Sequence, residues 1–435
     1  MVTRAAQRIA RRDYPAWEAA AKAAGWCVTP VRLTGSVSRV HPDTGEIASS
    51  FTTRHQPDGV LLKACQSRRA TRCPACAAVY HSDARALITA GLVGGKGMPS
   101  AVGERPVVFA TLTAPSFGAV HTCHPDHSPC HRFGPSGQRC GHRHSCEHVH
   151  PPGDPVVGTP LCADCYDWEG TVVWNARAGE LWRRTIIATR RALAGHAGMT
   201  VKAFEAHQVL AYVKIIEYQA RGVVHIHALL RLDPGAREGR TLDAAVLAAA
   251  LRHALARVTA PNPAQRARPI RWGIQNHLEA IPPGERAAVA GYLAKYTTKS
   301  VDAGGILDRR LRSGELDGLP APDHLRRLAQ TAWTLADHPR LGELNLRAWA
   351  HTLGYRGHWL TKSRTWSTTL TQLRSDRHHW QLIAHGHNPE SDPTVAVGDW
   401  DYQGNGHTTA ADTWLAHQGA ARRKRDRRTA WEERP

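Results

Sequence analysis

Hydrophobic and polar positions are arranged most tellingly between Tyr212 and Leu232, where the chain reads YVKIIEYQARGVVHIHALLRL. Two runs rich in β-branched and aromatic residues flank a short polar, glycine-containing segment, which predicts two antiparallel strands and a tight turn. Other patterns fall around this pair. Trp174 to Leu193 has the amphipathic spacing of a helix with a basic face at Arg183, Arg184, Arg190 and Arg191. Thr241 precedes an Ala/Leu-rich helical pattern from Leu242 to Val258, and Pro269 to Ile281 suits a further strand. Paired prolines and an acidic first turn then open a helix over PPGERAAVAGYLAKYTTKS, residues 282 to 300. A strand pair followed by helix, strand and helix predicts an α+β fold on an antiparallel sheet.

The alternation of a strand puts His225 and His227 on one face and Ile226 on the other. Two imidazoles side by side on a sheet are ready ligands for one divalent metal, although His-x-His by itself also occurs as an ordinary exposed pair. Glu217 ends the first strand. With a five-residue loop from Tyr218 to Gly222, Glu217 sits opposite Val223 and shares the histidine face; one residue more or less sends it to the other side. In the helix that follows, Tyr292, Lys295, Tyr296 and Lys299 recur at helical spacing along one face. A phenol of pKa near ~10 is a poor nucleophile at neutral pH, and a neighbouring ammonium and a metal-polarised phosphate are what it needs to attack phosphorus. A tyrosine pair packed on a core, with lysines reaching solvent, is the plainer reading of the helix.

Taken together, HIH and the downstream YLAKY resemble the HUH endonucleases, in particular the two-tyrosine rolling-circle replication initiators. VVFATLTAPSFG, Val107 to Gly118, resembles that family's first motif, and EYQARGVVHIHALL its strand pair. The segments GLVGGKGMPS, ATLTAPSFGAVH, PLCADCYDW, ELWRRT and RGHWLTKSRTWSTTL further resemble the RepSA-like initiators of actinobacterial plasmids and integrative elements, a likeness running from about Gly25 to Arg374. The resemblance implies a metal-dependent, sequence-specific enzyme that nicks and rejoins single-stranded DNA at a plasmid origin. His225, His227 and Glu217 are then expected to hold Mg²⁺ or Mn²⁺, the two histidines shifting the expectation toward manganese. Tyr296 or Tyr292 would form a 5′-phosphotyrosine, with Lys295 and Lys299 neutralising charge. A rolling-circle transposase and a zinc-stabilised DNA-binding regulator without nuclease activity are the competing readings.

Composition agrees with a nucleic-acid partner. The 435 residues carry 56 Lys and Arg against 37 Asp and Glu, a formal charge of +19, which favours a polyanion. No apolar run approaches the ~18 residues of a membrane span, and MVTRAAQRIARRDYP lacks the apolar centre of a signal peptide, so a cytoplasmic protein is expected. No GxxxxGK[ST] sequence is present, which leaves strand separation and synthesis to a host helicase and polymerase.

Ten cysteines in such a setting point to metal rather than disulfides. CPAC, at Cys73 and Cys76, is a close thiolate pair that two distant thiolates can complete to a zinc tetrahedron. The likeness of GWCVTPVRLTG and KACQSRRATRCPACAAVY to the family implies Cys27 and Cys65 as the other two, with His55 or His81 as the rival to Cys27. A second group lies in an insertion from His121 to Tyr166, poor in apolar sequence and rich in Cys, His and Pro. Cys162 and Cys165 form one half-site; Cys140 and Cys146 are the candidates for the other, with Cys130, His142 and His150 still open.

Three regions are therefore expected: an N-terminal zinc-binding module at 1–100, the nuclease domain at 101–300 with its insertion at 121–166, and a helical, DNA-contacting region at 301–435. Pro322 to Leu353 reads as helical with a break at Pro339. The aromatic and basic stretch from Tyr355 to Arg377 is a candidate single-strand surface, with an aromatic core edge the equally weighted alternative. Arg183, Arg184, Lys362 and Arg364 are the candidate DNA contacts, and the basic run 421–428 is expected to be an irregular arm.

Overall fold

The computed structural model describes residues 2–131, 145–239, 241–304, 309–384 and 394–432, excluding the side chains of 295, 297–304 and 427–432. In chain order the helices are α1 (Val2–Ile9), α2 (Tyr14–Ala23), α3 (Pro74–Val93), α4 (Trp168–His196), α5 (Val201–His207), α6 (Ala244–Arg257), α7 (Arg286–Gly304), α8 (Asp323–Leu335), α9 (Leu370–Ala384) and α10 (Ala410–Glu432). The strands are β1 (Val31–Val40), β2 (Ile47–Thr52), β3 (Leu61–Lys63), β4 (Val107–Leu112), β5 (Gln208–Tyr218), β6 (Val224–Pro234), β7 (His277–Ala280), β8 (Leu360–Lys362) and β9 (Val395–Asn405). Every strand pairing is antiparallel, which makes the chain α+β.

Two compact units divide the chain, residues 85–368 and residues 1–84 with 369–435. This differs from the expected three parts. The cause is a long-range pairing: β9 lies along β1 from Val40↔Val395 to Val31↔Asn405, so the end of the chain belongs with its beginning. In that smaller unit β2 and β3 complete the sheet on β1. Arg8 is buried in an ion pair with Asp412 at 2.8 Å and lies over Trp17. The basic run expected as an irregular arm is the distal part of α10 instead.

The larger unit is built on a five-stranded sheet of order β7-β4-β6-β5-β8. Its two faces are set by the period of two. Leu210, Ile216, Tyr218, Val224, Ile226, Ala228, Leu230 and Leu232 share one face with Ala110 and Leu112, and all pack into one core with α4 and α6. Burying a Leu, Ile or Val side chain contributes roughly 1.5–3 kcal/mol, so this apolar row fixes which way the strands face. Asp167 caps α4 by accepting from Gly170 N at 3.0 Å, and Trp174 and Trp182 of that helix lie in the core. Asp243, rather than Thr241, caps α6. The expected strand from Pro269 is regular only at His277–Ala280, because Trp272 turns into the core and Gly273 N bonds Thr113 O.

Within the expected single-strand surface two aromatic residues are core, whereas Arg356, Arg364 and Arg374 are exposed. Tyr355 and Trp366 are buried, the latter beneath the guanidinium of Arg231. Aromatic residues interleaved with basic ones serve an interior as readily as a nucleic-acid surface, and here the sheet edge at β8 needed filling. Helix α8 stops at Leu335, before Pro339, and short 3₁₀ turns follow at Gly342–Leu344 and Leu346–Thr352. None of the helices among the described residues is long and apolar enough to cross a membrane.

Candidate active site on one face of the sheet

Strand register assembles the site. Tyr218 pairs with Val224 and Glu217 with His225, so the hairpin loop is Gln219 to Val223. It has the five residues expected but sits one position further along the chain. Glu217 therefore faces His225 instead of Val223. The displacement shifts the register by two, and a shift of two preserves the face. Gly222 takes φ +77°, and a Cβ there would lie 2.4 Å from Leu328, so the turn requires glycine. From the apolar side of the sheet, Asn175 of α4 fastens this loop. It donates to Gly222 O at 2.9 Å and Leu353 O at 3.0 Å, and accepts from Val224 N at 2.9 Å.

On the opposite face the rings of His225 and His227 stand 4.8 Å apart. His227 is buried, with Nε2 3.1 Å from Glu217 Oε2 and Nδ1 3.3 Å from Thr111 Oγ1. Thr111 pairs directly with His227 across β4 and β6, so the ATLT strand supplies a partner for the second ring nitrogen. The ring also stacks on Tyr296 at 4.4 Å and on Phe109 at 6.0 Å. Tyr296 Oη donates to Tyr292 Oη at 2.6 Å, and Tyr292 is 45% exposed. Both phenols of α7 thus meet the histidine face, in agreement with their i, i+4 spacing.

Burial, and then the hydrogen bond to Tyr292, raises the Tyr296 phenol above its usual range. It stays protonated at neutral pH and needs activation before it can attack. Burial followed by proximity to His227 lowers His225 to about 4, which leaves a neutral imidazole able to ligate. Its Nδ1 is buried and finds no hydrogen-bond partner among the described residues. A neutral imidazole with a spare nitrogen, a second imidazole and a carboxylate form a chemically suitable donor set for a divalent cation. Their donor atoms are more spread than those of the cysteine quartet and do not all lie within 4.8 Å of one another. The side chains of Lys295 and Lys299 lie outside the described residues.

Two residues of β7 escaped sequence reading. His277 pairs with Thr111 and Glu279 with Phe109, which puts both on the histidine face, where they meet at 3.3 Å. The available signal was alternation in HLEA, too short a run to fix a face. Among the basic candidates, Lys362 pairs with Val213 and so belongs to the histidine side; its ammonium bonds Ser363 O at 3.3 Å and Ser367 O at 2.7 Å. Arg364 is exposed just beyond β8. Arg183 and Arg184 do not reach this face. They belong to α4, on the apolar side, and both engage Glu180, at 2.8 and 2.6 Å.

In the smaller unit Cys27, Cys65, Cys73 and Cys76 bring their sulfurs within 4.8 Å of one another, without His55 or His81. Cys73 and Cys76 bracket the start of α3, and Cys73 Sγ is 3.7 Å from Cys27 Sγ. Cys65 N donates to Cys27 Sγ at 3.2 Å, an N–H···S bond of the kind that supports thiolate ligands. In the insertion the expected half-sites do not describe the gathering. Cys146 joins His121, Cys130 and His150; among the described residues neither Cys162 nor Cys165 enters that group, and Cys140 lies outside them. Spacing along the chain could not reveal which distant ligands close together.

The larger unit thus carries histidines, a carboxylate and paired phenols on one face of an antiparallel sheet, and the smaller unit a cysteine cluster of its own. The chain belongs to the RepSA family, described as replication initiator protein, pSAM2, which matches residues 13–421. It is 40% identical over 420 residues to a replication initiator protein of Streptomyces ambofaciens, an alignment spanning 91% of this chain and 88% of that one. No solved structure matches it.

Proposed function

We propose that this replication initiator is an HUH-type endonuclease that nicks and rejoins one DNA strand at a plasmid origin. The observation that carries the reading is the meeting of His225, His227 and Glu217 with Tyr292 and Tyr296 on one sheet face. Mg²⁺ or Mn²⁺ held by the two histidines and Glu217 would polarise the scissile phosphate. Thr111 fixes the ring of His227 through Nδ1, which leaves Nε2, 3.1 Å from Glu217 Oε2, as the nitrogen that would face the ion beside that carboxylate. One phenol attacks phosphorus, a Tyr Oη–P bond forms, and the P–O3′ bond breaks. The phenol loses a proton and the departing 3′-oxygen gains one, so rejoining by the reverse attack consumes no nucleotide triphosphate. The free 3′-hydroxyl would prime synthesis by a host polymerase, with a host helicase opening the duplex. The second phenol, 2.6 Å away, is placed to receive a strand in turn. The excess of basic residues supports DNA as the partner.

The test is incubation of the full-length protein and Mn²⁺ with single-stranded oligonucleotides tiled across the DNA flanking its gene. An SDS-resistant adduct mapped by mass spectrometry to Tyr296 or Tyr292, and lost with His225→Ala, is expected. Tight, sequence-specific binding without an adduct, unchanged when both tyrosines are phenylalanine, would instead make the protein a non-catalytic regulator.

A further inference from the structure

Among its described residues the insertion after β4 has almost no interior of its own. Among its described residues from His121 to Leu161, only Cys130 and His150 are buried. Its internal order comes from a few backbone bonds, including His131 N to Cys146 O at 2.8 Å and Cys130 N to His148 O at 3.0 Å. Such a segment cannot offset the entropy of ordering by hydrophobic burial. Yet the two buried residues belong to one four-membered group with His121 and Cys146, all donor atoms lying within 4.8 Å of one another. Cys130 Sγ is 3.7 Å from His121 Nδ1, and Cys146 Sγ is 3.6 Å from His150 Nε2. Ligands 2.0–2.3 Å from a tetrahedral zinc stand roughly 3.3–3.8 Å apart, so these separations already suit the ion.

The surroundings are those of a metal site. His150 Nδ1 lies 2.7 Å from Asp154 Oδ2, which orients the ring and turns Nε2 toward Cys146. Thr122 N donates to Cys130 Sγ at 3.1 Å. Two thiolates and two imidazoles select zinc over the hard cations expected at the sheet face. His148 also approaches His150 and Asp154, but it is exposed and adds no thiolate.

We infer that His121, Cys130, Cys146 and His150 hold one zinc ion, with Asp154 as the positioning carboxylate, and that this ion is the core of the insertion. Its position gives it a second consequence. A groove of about 740 Å³ opens at the end of the sheet that carries Glu217 and His225, and Val120, Thr122 and His131 are part of its lining. Gln219, Arg221 and Gln275 line it as well. Val120 and Thr122 adjoin His121 in sequence, and His131 adjoins Cys130. Zinc therefore sets part of the lining of the groove that, on the endonuclease reading, would lie beside the bound strand.

The experiment is metal analysis of the intact protein by inductively coupled plasma mass spectrometry, with cobalt substitution to report the ligands. Cys146→Ser and His150→Gln are each expected to carry one zinc fewer per chain than the native protein. Cobalt in the native protein should show absorption from a site of two sulfurs and two nitrogens, which disappears in both variants. Asp154→Asn should keep its fold and its zinc but yield the ion to a chelator with about 10–100-fold weaker affinity. An unchanged zinc content in Cys146→Ser and His150→Gln overturns the assignment. So does chelator competition in Asp154→Asn identical to that of the native protein, which decides the matter if the ligand variants fail to fold. These readouts do not depend on DNA cleavage, so loss of the endonuclease reading would leave them standing.

Discussion

His225, Ile226 and His227 are neighbours in sequence but belong to different chemistries. Ile226 is fully buried beneath the helices on the apolar side of the sheet, whereas the histidines face Glu217, Thr111 and the tyrosines of α7. Both faces descend from the same hydrogen-bonded ladder, and a change of one residue in register would exchange them. The apolar side supplies the energy that fixes register, and register delivers the polar side. The candidate site is accordingly a by-product of correct packing on the far side of the sheet, and it needs few interactions of its own to exist.

That contrast can be tested residue by residue. The largest effect is expected at His225→Ala, with adduct formation reduced at least ~10³-fold while the melting temperature stays within a few degrees, because a half-buried polar position is emptied. Comparable unfolding of that variant would mean that the two faces are not separable. Ile226→Ala should do the reverse, costing about 2–5 kcal/mol in denaturant unfolding while the fraction still folded retains activity. Asn175→Ala tests the link between the faces. Removing its three bonds to the hairpin and to Leu353 should cost about 2–4 kcal/mol and also weaken nicking, because the loop after Glu217 loses its fastening. An effect on stability alone would show that the loop needs no support from α4.

A smaller change is expected for Thr111→Val, which removes the hydroxyl 3.3 Å from His227 but keeps the strand. Manganese dependence of nicking should shift about 10–100-fold toward higher concentration, with little change in thermal stability. Smallest of all is Glu180→Gln on α4. The hydrogen bond from Arg183, and then that from Arg184, holds Glu180 at about 2, below its ordinary 4.5. Its contribution is present above pH 4.5 and is lost as pH falls toward 2, and at this partly exposed position it should not exceed about 1 kcal/mol. A pH titration of stability that separates native protein from variant by more than that would mark this pair as part of a larger network.

The sheet's chemistry was legible because alternation is local. His225 and His227 needed only the period of a strand, and Tyr292 and Tyr296 only that of a helix. Glu217 was placed on the right face with the wrong partner: a five-residue loop slides by one position without changing composition, and only its closing bond, Gln219 N to Val223 O, distinguishes the two. Tyr355 and Trp366 could be read as core edge or as stacking surface, because their role depends on which strand edge they cover; both are buried. The clustered cysteines and histidines of the insertion illustrate a harder limit. Cys162 and Cys165 have the better spacing, but closure in space joined Cys130 and Cys146 to two histidines instead. Arg183 and Arg184 lie on the side of the sheet away from the histidines, where both engage Glu180, a placement that charge alone could not specify.

The pairing of β1 with β9 has a consequence for how the protein is made. Val40 emerges from the ribosome roughly 350 residues before its partner Val395, a delay on the order of 20–70 s at ordinary rates of synthesis. All five strands of the histidine-bearing sheet are complete by Lys362. The catalytic candidate can thus mature while β1 still waits with an open edge, exposed to any other chain able to extend it. A message cut short before β9 would release a polypeptide that keeps the entire five-stranded sheet and leaves the first strand of the molecule without its longest partner.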